Sequence, residues 1–498
     1  MTTSTVPEAR TYRVGGPART GLWRGMRTAE RRSLLLGALP ALLLAMVGGT
    51  SGLLLGGCLF LLVAAFTYVP SRRLGGITTL RWSLDEARFR QLARHPLGTR
   101  AWEAGVTSDG PVPVNPPPTV GAVAWFRGTV HGQELGILYA GGPYLTLLEV
   151  ASDGGDPDPV ERDGQAASWS GFLDRLSVET SLVSVVGQIE RQTAAAPDAH
   201  LRWLDEHADP TCPPELTASY REIVAQVALQ SEDHRNWLLI GVPDGDGLQR
   251  ALVRATPSGQ APDTAALLTV LARETTSVIG QLRSGGLSLV RVVSEAGYAG
   301  LIRHLHEPDR PVEDPRVRSG RDAWSRHVES HRRALLVGGT SEHPEPSWAH
   351  ATAAVTFTGD AEHSTFLDAA LIAAPGITRT FTVVSRLSPW RQAYAQSRRA
   401  VSDDRAEVRK RTEEGIGHDL GDVRQLTHSE QVMADTHSRA CGVTSTAWLT
   451  VSAPTLAELE EAQRAALAAA GGLSVEWCDK EHAAAFINSL PLGRGPRR

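Results

Sequence analysis

A chain of 498 residues is too long for one small core and calls for two or three units. Its 50 basic and 55 acidic side chains leave a net charge of −5, which excludes a general electrostatic pull toward nucleic acid. The four cysteines, Cys58, Cys212, Cys441 and Cys478, show no CxxC spacing, which argues against a zinc site or redox pair and for free thiols in a reducing compartment.

Residues 1–32 form a basic tail with Arg10, Arg13, Arg19, Arg24, Arg27, Arg31 and Arg32 against only Glu8 and Glu30. Two charge-free runs follow within 33–69: Ser33–Val47, SLLLGALPALLLAMV, and Leu53–Val69, LLLGGCLFLLVAAFTYV. Gly48-Gly49-Thr50-Ser51-Gly52 between them has a turn composition. Each arm falls slightly short of the ~20 residues of a spanning helix, and the turn residues make up the difference. Pro40 predicts a kink, which lipid-embedded helices tolerate. A signal peptide is disfavoured because a second apolar arm follows directly and no small-residue cleavage motif closes the first. A single long span is disfavoured by the glycine turn, and a buried soluble hairpin by apolarity on every face. A transmembrane helical hairpin is therefore expected. After it come Arg72, Arg73, Arg81, Arg88, Arg90, Arg94 and Arg100 against Asp85 and Glu86. Positive charge on both flanks places both termini in the cytoplasm.

Residues 70–118 read as a membrane-proximal segment ending in a stiff linker, DGPVPVNPPP within Val106–Thr119. A first cytosolic α+β unit spans 119–306. Paired strands are predicted in Val120–Val150, a short helix at Trp169–Leu176 and a strand at Ser181–Ile189. Pro214–Gln230 reads as a helix with proline at its start. Strands follow at Asn236–Val242 and Leu287–Val292, and helices at Asp263–Leu282 and Val293–His306. The segment 307–348 opens with HEPDRPVEDPRVRSG from His306 and reads as a second linker.

A C-terminal α+β unit spans 349–498. Its predicted strands are Ala351–Phe357, Thr378–Leu387, Val443–Val451 and Leu473–Cys478. Its helices are Ala361–Ala374, Thr455–Ala470 and Glu481–Leu490. A charged helical hairpin, 389–440, is inserted as Pro389–Gly415 and Leu420–Ala440. The order β-α-β, helical hairpin, β-α-β is that of a ferredoxin-like α+β unit with an insertion.

None of the lysines, glycine runs or histidine pairs completes a motif that carries chemistry. Lys410 and Lys480 are the only lysines, and neither follows a glycine loop, so no P-loop is present. Gly141-Gly142 and Gly285-Gly286 lack the GxGxxG frame and read as turns. There is no GxSxG elbow and no HExxH. His418-Asp419 with Asp422 lacks a completing ligand. His327 and His331, spaced i, i+4 on a possible helix among Arg326, Arg332 and Arg333, read as a solvated face. No catalytic, cofactor-binding or metal residue is assigned. Arg398, Arg399, Arg405, Arg409, Lys410 and Arg411 alternate with Asp403, Asp404, Glu407, Glu413 and Glu414. That pattern predicts an exposed salt-bridged helix, and a protein-docking surface is the sharper reading.

The layout of an Arg-rich tail, TYRVGGPART, a double apolar arm and a two-part cytosolic region resembles a family of conserved actinobacterial integral membrane proteins. These occur in conjugative-element gene clusters. The scarcity of lysine and abundance of alanine and glycine fit a GC-rich genome. The resemblance is most specific at Thr444–Gly493, where AAAFINSLPLG is similar to the family's closing pattern, and Ala400–Asp419 fits its charged helix. Members look like a VirB-type inner-membrane hairpin protein fused to the N-terminal domain of the type IV secretion assembly ATPase, without the motor. The resemblance implies a non-catalytic, membrane-anchored scaffold of a type IV secretion-like machine. It would dock a separate ATPase at the cytoplasmic membrane and form oligomers within the assembly. The alternative is a structural membrane subunit of a type VII secretion machine, and a membrane-bound enzyme with a dispersed site is a third reading.

Overall fold

The computed structural model of the protein describes most of residues 28–494. Outside the description lie 1–27, 95–100, 104–115, 152–158, 195–200, 339–347, 358–376, 414–419 and 495–498, with shorter runs elsewhere. Of the described residues, one compact unit holds those of 16–100 and 400–430, and the other those of 101–399 and 431–498.

In the first unit, α1 (Thr28–Val47) and α2 (Gly49–Tyr68) pack side by side. The five-residue turn expected between them is tighter, the chain reversing at Gly48 and Gly49. The Gly52 N–H donates to the Gly48 carbonyl at 2.9 Å, so α2 starts at once, and Gly49 takes the left-handed φ of 57° that glycine tolerates. The helices come close at Gly37, where a Cβ would lie 2.5 Å from the Val63 side chain. Ser33 Oγ and Thr67 Oγ1 are 3.3 Å apart beside it, and the Thr67 hydroxyl donates to the Val63 carbonyl at 2.8 Å. Small residues and hydroxyl pairs of this kind hold helices together where water is absent. A two-residue pairing of β1 (Pro70–Ser71) with β2 (Ile77–Thr78) then leads to α3 (Thr79–Arg94). The linker expected at Val106–Thr119 and the helix expected at Ala361–Ala374 lie largely or wholly outside the described residues.

The second unit is built on one antiparallel sheet. Its strands are β3 (Ala101–Glu103), β4 (Ala124–Val130), β5 (Gln133–Tyr139), β6 (Pro143–Ala151), β7 (Val185–Ala194), β8 (Glu232–Pro243) and β9 (Ser288–Val292). They continue as β10 (His327–Ser330), β11 (Leu335–Val337), β12 (Trp348–Phe357), β13 (Thr378–Ser388), β14 (Gly442–Ala453) and β15 (Leu473–Trp477). The path runs β3-β10-β11-β12-β14-β13-β7-β8-β6-β5-β4, with β15 also on β12 and β9 also on β6. In the N-terminal half the order β9-β6-β8-β7 places the fourth of four strands beside the first, then the third, then the second. In the C-terminal half β15-β12-β14-β13 repeats it. In each half a hairpin, β4-β5 or β10-β11, extends the first strand on its outer side. The two second strands, β7 and β13, pair from Val185↔Arg386 to Gln192↔Arg379 and join the halves.

The helices are α4 (Pro159–Leu176), α5 (Pro214–Ala228), α6 (Asp246–Ala255), α7 (Thr264–Gln281), α8 (Glu295–His306), α9 (Trp390–Glu413), α10 (Leu420–His437), α11 (Leu456–Ala469) and α12 (His482–Ser489). Side-chain caps start several of them: Asp263 accepts from the Ala266 amide, Ser294 from Gly297 and Thr455 from Glu458. The period-2 alternation of the strands sorts the core into layers. On β8, Trp237 and Leu239 join the cluster under α8 and α12, while Leu238 and Ile240 join the cluster under α4, α6 and α7. A third cluster sits between α11 and strands β12 and β14.

The stretch 307–348 is not a bare linker: it contributes β10 and β11 to the sheet. Several of its charges are paired within the segment or with the sheet. The Glu307 carboxylate binds Arg303 and Arg310, and Asp314 binds Arg316. Glu313 and Glu149 together clasp Arg235 and Arg291. Burial alone would raise the Glu313 carboxyl, but the hydrogen bonds and charges of the two arginines outweigh it and hold it near 2. Proline and charge density mimic a linker in the sequence, while non-local pairing makes this segment part of the core. The pair His327 and His331 does not share a helical face, since His327 opens β10 and His331 follows its end.

Candidate membrane helices and docking surfaces

The helix segment Gly49–Thr67 is long and apolar enough to cross a membrane; the apolar stretch of α1, Arg32–Leu44, is shorter. Both helices turn large apolar side chains outward: Leu36 is 75% exposed, Leu39 66%, Leu54 71% and Leu62 68%. Outward leucines at this density are unusual for helices that face water. α3 differs, with Phe89 buried and Glu86 joined to Arg90 at 2.9 Å on the same helix.

Between β13 and β14 stand α9 and α10, the charged pair legible in the sequence. Arg398, Arg399, Asp403, Arg405 and Arg409 are exposed on α9. Arg405 pairs with Glu430 of α10 at 2.8 Å, and the Ser429 hydroxyl donates to the Asp404 carboxylate at 2.7 Å. Nearer the sheet, the rings of Tyr394 and His437 meet at a tilt of 47° with centroids 5.7 Å apart. His418 and Asp419 lie outside the described residues, and among those described no group of three or more His, Cys, Asp or Glu is arranged to hold a metal ion.

A second surface was missed from the sequence. α5 occupies the equivalent insertion of the first half, between β7 and β8. It exposes Leu216, Tyr220, Ile223 and Val227, each more than 40% accessible. Their spacing of four, three and four residues places them in one row. The signal was available in the periodicity of Pro214–Gln230, but the sequence alone does not tell a buried row from an open one.

Where the halves meet, the interior is unexpectedly polar. Arg191 of β7 is fully buried beside Thr380 of β13. Its Nη1 donates to the Thr380 hydroxyl at 2.8 Å, its Nε lies 3.3 Å from His304 Nε2, and its Nη2 has no hydrogen-bond partner. Burial without a carboxylate lowers this guanidinium to about 9. His304 Nδ1 lies 2.6 Å from the Arg310 carbonyl. His350 contacts Ser452 Oγ at 2.8 Å and the His306 carbonyl at 2.9 Å. Burial pushes His304 and His350 down to about 3 and His306 to about 4, so all three are neutral imidazoles. With both nitrogens of His304 and His350 engaged by protein atoms, these residues serve packing and not ligation. Around them Thr352 and Thr450 share a hydrogen bond at 2.9 Å, and Thr450 donates to Ser489 of α12 at 3.0 Å.

Comparison with known protein families finds no matching family model, and no curated protein matches the chain.

Proposed function

We propose that the chain is a membrane-anchored, non-catalytic structural component of a type IV secretion-like conjugative DNA-transfer apparatus that docks a separate ATPase at the cytoplasmic membrane. In this reading α1 and α2 form a two-span hairpin with both termini cytoplasmic. Each half of the sheet is a ferredoxin-like unit, the second carrying α9 and α10 as its insertion; the strand order, fourth-first-third-second in both halves, supports that assignment. The observation that carries the proposal is the joining of an apolar anchor to a sheet unit whose two insertions present exposed surfaces. One is charged at α9 and α10, and the other is apolar at α5. Charged rims favour orientation and encounter rate, while an apolar row supplies affinity.

The test is co-purification from native membrane followed by mass spectrometry, with wild type, a triple reversal of Arg405, Arg409 and Arg411 to Glu, and Ile223→Glu. A motor ATPase should co-purify with wild type, and the triple reversal should release it at lower salt. Arg405, Arg409 and Ile223 are exposed, and exposed charges contribute little stability; circular dichroism of each variant checks that it remains folded. An assembly without any ATPase, or equal retention by all three proteins, would defeat the docking model.

A further inference from the structure

Among the described residues, α1, α2 and α3 enclose an open groove of about 1190 Å³. That exceeds the roughly 300–1,000 Å³ typical of small-molecule pockets. Leu36 and Pro40 of α1, Leu62 and Phe66 of α2, and Leu84 of α3 make it apolar along its length. Arg32, exposed and at the start of the apolar stretch of α1, lines the same groove. The start of α1, the end of α2 and the start of α3 lie at this end, where Arg32, Phe66 and Thr79 line the same groove. From Arg31 to Leu84 the chain carries no acidic residue; Glu30 precedes that stretch and Asp85 and Glu86 follow it, Glu86 being joined to Arg90.

The arrangement has the two parts of a phospholipid in sequence: an apolar trough for an acyl chain and a bidentate cation at its end. We infer that the groove binds one phospholipid with an anionic headgroup, taken from the cytoplasmic leaflet, its phosphate on Arg32 and one acyl chain along Leu36, Pro40, Leu62, Phe66 and Leu84. The phosphate is common to neutral and anionic lipids and meets the planar fork of Arg32 in both; the preference for net negative charge comes from the choline cation of a neutral headgroup, which the guanidinium repels. Basic sites beside membrane helices on the cytoplasmic side select anionic headgroups by this chemistry. The inference rests on the membrane reading of α1 and α2.

The experiment is native mass spectrometry of the full-length chain released from detergent, titrated with phosphatidylglycerol or phosphatidylcholine. Alkaline carbonate extraction of the same membranes tests insertion separately. Wild type should retain one phosphatidylglycerol with roughly fivefold preference over phosphatidylcholine, the size expected for the ~1 kcal/mol that a basic side chain gains beside a net anionic headgroup. Arg32→Gln should abolish the preference while a lipid is still retained. Ala65→Trp, which fills the groove with an apolar side chain and so spares insertion, should reduce retention of both lipids. A chain extracted by carbonate would overturn the membrane reading itself. A chain that resists extraction yet binds both lipids equally, or retains lipid undiminished in Ala65→Trp, would overturn the groove while leaving the membrane anchor standing.

Discussion

Acidification from pH 7 to pH 5 should loosen the sheet unit through its buried imidazoles, before any carboxylate takes part. His304 and His350 titrate near 3 and His306 near 4 in the folded chain, against about 6.5 when unfolded. A base whose folded pKa is depressed binds more protons unfolded, so stability is full above the unfolded value and falls as pH drops toward the folded one. At pH 5 each imidazole costs about 2 kcal/mol by this linkage, or about 6 kcal/mol for the three together. The low-titrating carboxyls Glu313 and Asp314, both near 2, contribute stability that begins to fade only near their unfolded values of about 4. The window from 7 to 5 therefore isolates the histidines. Thermal unfolding of the detergent-solubilised chain, followed by the fluorescence of buried Trp237 and Trp324, should show a midpoint lower by on the order of 10 °C at pH 5. In His350→Gln, which keeps a neutral polar side chain, the pH-dependent loss should shrink by about one third, or about 2 kcal/mol. An unchanged midpoint between pH 7 and 5, or the same slope in the variant, would refute the reasoning.

Replacing the buried guanidinium by Arg191→Met should leave urea stability unchanged or raise it by about 1–4 kcal/mol, because desolvation of a charge without a carboxylate is removed; a loss above about 3 kcal/mol would contradict this. Gly300→Ala would set a Cβ 2.1 Å from the Val312 carbonyl oxygen and should cost about 1–3 kcal/mol in the same assay, and a neutral result would show that the connection after α8 can yield. Leu61→Arg, at a position 68% exposed on α2, should raise the insertion cost by about 2.5–3.5 kcal/mol and lower the carbonate-resistant fraction. Reporter fusions after Arg10 and after Arg100 should both read cytoplasmic, and an external signal from either would defeat the two-span arrangement.

Local pattern carried much of this architecture. The apolar arms, the charged helices α9 and α10, and the strands from β12 to β15 lie close to where period and composition place them. What remained hidden is what depends on distant partners. Nothing around Val185 or Arg386 announces that these residues pair across the chain, because β7 also reads well as an edge strand. The prolines and charges after His306 carry a linker composition, and only the clasp of Arg235 and Arg291 on Glu313 shows why they are ordered. The polar interior at Arg191 was invisible for the same reason: its neighbours Thr380, His304 and His350 come from three other elements. α6 and α3 were also passed over, being short or following directly on stronger signals.

The seam between β7 and β13 makes one chain behave like a pair of subunits. Each second strand closes the edge that the other would leave open, so neither half offers that edge to a foreign strand. The two strands run in opposite directions, and each insertion leaves from the end of its own strand. The first therefore departs beside Arg379 and the second beside Val185. A true homodimer would carry identical insertions at both ends. Here the first insertion carries α5 with its apolar side chains, and the second carries the charged helices α9 and α10. The two exits from the repeated sheet thereby lead into insertions of opposite character.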